Sequence, residues 1–122
     1  MQLRSERLGD VKDLERAISY RRALVDHTPD DHRDKPGRLI SLGNCMQLRF
    51  ERLGKVEDLS RAIDYKQAAV DLTPHNHPDK PSLLSDLGNS VQLRFERLGE
   101  VGDLKSAISF KEDAVNLARE PS

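Results

Sequence analysis

The eight residues QLRFERLG stand at 47–54 and again at 92–99, and QLRSERLG, with one residue changed, occupies 2–9. Successive copies begin 45 residues apart, at Gln2, Gln47 and Gln92. Residues 2–46 and 47–91 are identical at 27 of 45 positions, among them Asp13/Asp58, Ala17/Ala62, Tyr20/Tyr65, Pro29/Pro74 and Pro36/Pro81, so the whole unit repeats and not the phrase alone. Such a chain must fold as successive copies of one supersecondary structure, each burying its apolar face against the next.

Within a unit the punctuation marks two helices. Pro36 and Pro81 suit a first helical turn, and Gly54 and Gly99 suit a left-handed helix end, which predicts helix A over about 36–53 and 81–98. In the following KVEDL and EVGDL, Asp58 and Asp103 are expected to accept hydrogen bonds from the unpaired amides that open helix B, which runs to about Thr73 before Pro74. The polar stretches DDHRDK and HNHPDK read as connectors. Leu39, Leu42, Met46, Phe50 and Leu53 recur at intervals of three and four, as do Leu59, Ala62, Ile63, Ala69 and Val70 on helix B, and strict alternation is absent. Gly43, Gly88, Ala62 and Ala107 fall on the buried arcs, where small residues let two helix backbones approach. The expected architecture is all-α, a row of antiparallel helix pairs in a single domain over 1–122, with units at about 1–35, 36–80 and 81–122.

Composition narrows the function. Lys and Arg number 20 against 21 Asp and Glu, a net charge of -1 that gives no general attraction to nucleic acid or an anionic membrane. Aromatics are 4% of the chain with no Trp, so a large aromatic substrate pocket is not expected. Cys45 is the only cysteine, which removes an intrachain disulfide and a cysteine-based metal cluster and fits a reducing compartment. MQLRSERLGD has no apolar leader and no stretch has the length of a membrane span, so a soluble cytoplasmic protein is expected.

The spacing Leu39-x2-Leu42-Gly43-x2-Met46, and Leu84-x2-Leu87-Gly88-x2-Val91, resembles the first half of the tetratricopeptide (TPR) repeat pattern, W-x2-L-G-x2-Y. Ala62, Lys66, Ala69 and Pro74 resemble its second half, although Lys66 and Lys111 stand where an aromatic usually packs, Leu replaces Trp, and the third unit ends LAREPS without the proline. The ordinary unit is about 34 residues, and the surplus here divides between the Gly43–Ala62 interval and the connector. Lengthened units with HPD in the connector resemble kinesin-light-chain-type repeats and, more closely, fungal arrays with LGN, RFERLG and LTPxxHPD phrases. The resemblance covers nearly the whole chain and implies a TPR-like α-solenoid of about two and a half repeats, a non-enzymatic scaffold or adaptor whose helices A line a concave face for a partner peptide.

On that face the candidate peptide-binding stripe is Asn44, Gln47 and Glu51, preceded by Ile40, repeated as Asn89, Gln92 and Glu96, preceded by Ser85. Asn and Gln both donate and accept, so a ladder of them can pair with the backbone of an extended peptide. Leu48 and Leu93 flank the stripe, either as groove floor or, the favoured reading, packed against the neighbouring helix A. Arg49, Arg52, Arg94 and Arg97 could hold a phosphate or carboxylate, but with Glu51 and Glu96 among them they read as solvated heads on stems that cover the helix surface. His75, His77 and Asp79 lack further metal ligands and read as loop, and Cys45, replaced by Ser90 one unit on, has no base assigned by the repeat. No catalytic set, metal site or cofactor is expected, and no aromatic interleaves with the arginines for nucleic-acid binding.

Gln2 is preceded only by Met1, so the first helix A lacks its initial two to three turns: either a longer array was cut, or the truncated end is genuine and meets something else. Ser5 replaces the phenylalanine, and Glu112 and Asp113 replace Gln67 and Ala68, as polar terminal units would require. The alternative to an adaptor is a self-assembling structural protein whose open repeat ends stack head to tail into an oligomer or filament.

Overall fold

In the computed structural model the backbone is described for residues 2–121 and side chains for 11–121. The role expected of Ser5, and the side chains of the first QLRSERLG phrase, lie outside the described residues. Five helices follow one another: α1 Gln2–Asp26, α2 Lys35–Leu53, α3 Val56–Leu72, α4 Lys80–Leu98 and α5 Val101–Arg119, with no strand among the described residues. The predicted bounds of helices A and B are met within a residue or two, with Pro36 and Pro81 in the first turns of α2 and α4.

Gly54 and Gly99 end α2 and α4 at φ 74° and 73°, each donating its amide to the carbonyl four residues back, Phe50 and Phe95. Only glycine takes that backbone conformation without steric cost. The chain then folds back, and α2 lies antiparallel to α3: Arg49 meets Asp58, Gln47 meets Lys66, and Gly43 meets Ala62. A Cβ on Gly43 would stand 3.2 Å from the Ala62 carbonyl oxygen and 3.1 Å from Lys66 Cγ, and Gly88 repeats the crowding against Ala107 and Lys111, so these glycines set the close approach.

The first unit departs from this plan. Its backbone runs through Gly9 as one helix, α1, where a turn like that at Gly54 would have separated two. Folding back at Gly54 is supported by the packing of α2 against α3.

Two cores form. Leu14, Ile18 and Val25 of α1 meet Leu39, Leu42 and Met46 of α2, closed by Ala62 and Ala69 of α3. One unit later Leu59, Ile63 and Val70 of α3 meet Leu84, Leu87 and Val91 of α4, closed by Ala107 and Ala114 of α5, with Phe50 of α2 included. Each helix B therefore has a small-residue side for its own helix A and a larger aliphatic side for the next. Leu53, placed on the apolar arc by its spacing, is 42% exposed because the arc has passed the end of the neighbouring helix.

Asp58 and Asp103 do not cap helix B, as the sequence had suggested. They sit in its first turn, and their carboxylates are held by the preceding helix: Arg49 Nε and Nη2 donate to Asp58 at 3.0 Å each, and Arg94 Nε and Nη2 to Asp103 at 2.9 Å each. A guanidinium matches both carboxylate oxygens at once, which a single amide cannot. The connectors also carry structure. Lys80 Nζ reaches back to the carbonyls of Val70 and Thr73 at 2.6 and 2.7 Å, and Lys35 does the same for Val25 and Thr28 at 2.9 and 2.6 Å, so the lysine before each proline satisfies the open end of the preceding helix B. Replacing Lys80 by alanine is expected to lower the unfolding free energy by about 1.5–3 kcal/mol, measured by urea denaturation followed by circular dichroism; an unchanged midpoint would refute this role.

Candidate functional site

Helices α2 and α4 present the predicted stripe side by side. Asn44 and Glu51, and one unit later Asn89 and Glu96, are exposed. Gln47 and Gln92 are half-buried and differently employed: Gln47 Oε1 accepts from Lys66 Nζ at 3.0 Å and from Ser90 Oγ at 2.7 Å, and Gln92 Oε1 accepts from Lys111 Nζ. The stripe is thus brought together in register, but its glutamine carbonyls already have partners within the fold. Leu93 packs against the second core as expected, while Leu48 stays at the surface.

Lys66 is the residue that sequence reasoning passed over. It is 1% exposed, and its ammonium donates to Gln47 of α2, to Asp86 Oδ1 of α4 at 3.1 Å and to Ser90 Oγ of α4 at 2.8 Å. All three of its donors are satisfied, which a buried ammonium requires. Its stem lies against Gly43, so methylenes fill the place the repeat pattern gives to an aromatic, and the charged head ties together three helices. A signal was present in the sequence: Arg21, Lys66 and Lys111 put a cation at the same position of every helix B, inside an otherwise apolar three-four spacing. Arg21 Nε is buried with no partner among the described residues, its counterparts of Asp86 and Ser90 being Ser41 and Cys45.

An open groove of about 860 Å³ crosses the first turns of α2 and α4 and the ends of α1 and α3, and none of the stripe residues lines it. Leu24, Leu72 and Leu83 give it apolar floor, and Arg21, Arg38 and Asp79 give it charge of both signs. Arg38 is partly committed, donating from Nη1 to Thr28 Oγ1 at 2.7 Å.

The arginine set does not form a free anion-binding row. Arg49 and Arg94 are forked onto Asp58 and Asp103, correcting their reading as solvated surface groups, and Arg97 lies over the Phe50 ring at 5.0 Å from its centre. The hydrogen bond with Asp103 raises the Arg94 guanidinium above its ordinary pKa against the opposing effect of burial, with Asp103, Asp64 and Glu100 adding attraction. The histidines act in turns and at the surface: His77 Nδ1 accepts from the Asp79 amide at 3.0 Å, and His75 Nε2 stands 3.1 Å from the Glu120 carboxylate. Cys45 is a free, half-buried thiol. Among the described residues no helix is long and apolar enough to cross a membrane. Comparison with protein-family models, with curated proteins and with solved structures returned no match, so the functional reading rests on the residues themselves.

Proposed function

We propose that this chain is a protein-interaction module of the tetratricopeptide type, an α-solenoid that holds an extended partner peptide across the exposed faces of α2 and α4 and catalyses nothing. The observation that carries the reading is the pair Asn44 and Asn89, one repeat apart, both exposed while the neighbouring Gln47 and Gln92 are committed to the fold. The Lys66 knot holds α2 and α4 at a fixed separation, so the two amides form a preorganised pair and less ordering cost falls on binding. A free thiol at Cys45 suits a reducing cytoplasm.

The test is selection of ligands from a random-peptide display library, followed by titration of the best peptide. Asn44→Ala with Asn89→Ala is expected to weaken that peptide about tenfold or more, from two lost hydrogen bonds of about 1 kcal/mol each, with helicity unchanged because both side chains are exposed. Undiminished affinity would sink this face as the binding site.

A further inference from the structure

The helices A of the second and third units are close copies: α2 and α4 differ at six of their 19 positions. A chain built from such copies has an ordering problem, because pairing between the wrong units is a characteristic failure of repeat proteins. Aliphatic packing does little to prevent it. Leu84, Leu87 and Val91 of α4 cover Leu59, Ile63 and Val70 of α3, and an α2 helix would bring Leu39, Leu42 and Met46 at the same spacing. Apolar burial is non-directional, and the flexible methionine adapts to a site filled by another aliphatic residue.

Two of the six differences meet a charge buried in that interface. α4 carries Asp86 and Ser90 where α2 carries Ser41 and Cys45. Lys66 of α3 is 1% exposed, and its ammonium donates to Asp86 Oδ1 at 3.1 Å and to Ser90 Oγ at 2.8 Å. Its third donor goes to Gln47 of α2, within its own unit. A helix of the α2 type in place of α4 would offer the ammonium no carboxylate, and a thiol accepts a hydrogen bond only weakly. A buried charge that loses its partner is costly, whereas an intact buried pair adds little over apolar groups of similar volume. Such a pair therefore acts chiefly on which partner is accepted. We propose that Lys66 selects the helix that docks on α3: the site takes a helix A bearing a carboxylate and a hydroxyl four residues apart and rejects one of the α2 type. The order of the second and third units is then set by a buried polar match and not by apolar packing alone. This selection is made within the chain and does not depend on peptide binding at Asn44 and Asn89.

The test gives α4 the α2 residues at the two positions, Asp86→Ser with Ser90→Cys, in the full chain. The same pair of changes is then made in a Lys66→Met background, which keeps most of the stem and removes the charge. Urea denaturation followed by circular dichroism is the readout. With Lys66 present the two changes are expected to lower the midpoint by about 1 M. In the Lys66→Met background they are expected to cost less than about half as much, because no ammonium is left to reject them. An equal loss in both backgrounds would overturn the inference, since the two residues would then act through packing alone. Should Asp86→Ser with Ser90→Cys fail to fold, the triple variant decides. Its cooperative unfolding would support selection by Lys66, and a second failure to fold would overturn it.

Discussion

Replacing Lys66 by alanine is expected to remove about 3 kcal/mol of stability, a large part of the roughly 5–15 kcal/mol that holds a domain together. The substitution leaves the Gln47 carbonyl, the Ser90 hydroxyl and the Asp86 carboxylate without their shared donor, and it empties the space that the lysine stem fills against Gly43. Asp86 has a side chain 36% accessible to solvent, so water compensates part of its loss, which sets the expectation at the lower end of the range for broken buried pairs. Lys111→Ala, with one acceptor and a half-buried side chain, is expected to cost clearly less. Urea denaturation of the two variants side by side measures the difference. Equal midpoints would show that the Lys66 knot adds nothing beyond an ordinary surface contact.

Phe50→Ala is expected to have an effect of similar or greater size, about 3–5 kcal/mol. Its ring is 1% exposed and belongs to the second core although it comes from α2, so it links one unit to the next, and Arg97 of α4 covers its face. Phe95 occupies the same place in the repeated phrase but is only half-buried. Its truncation to alanine is expected to cost about 1–2 kcal/mol, since a partly exposed side chain loses less buried area and leaves no closed cavity. Thermal unfolding of both variants checks the ordering; a larger effect at Phe95 would contradict the assignment of the two cores.

The repeat period, the five-helix order less its first break, and the left-handed turns at Gly54 and Gly99 were legible in the sequence. They depend on local chemistry: a proline tolerated in a first turn, a glycine where φ must be positive, aliphatic residues every three or four positions. The stripe was legible as positions, since Asn44, Gln47 and Glu51 follow the core arc at helical spacing. Its chemistry was not legible, because the partners of Gln47 come from α3 and α4, 19 and 43 residues away.

The same division explains the corrections. Asp58 after a glycine and ahead of an apolar run satisfies the local rule for a capping residue, and only the return of α3 beside α2 brings Arg49 within reach to claim it. Gly9 sits in the same phrase as Gly54, yet α1 runs through it without a turn. What the sequence determined by itself was therefore the set of helices and their repeated faces, through backbone preference and apolar period. What only the tertiary structure decided was which cation is buried and which arginines are committed, because each depends on which helix lies opposite.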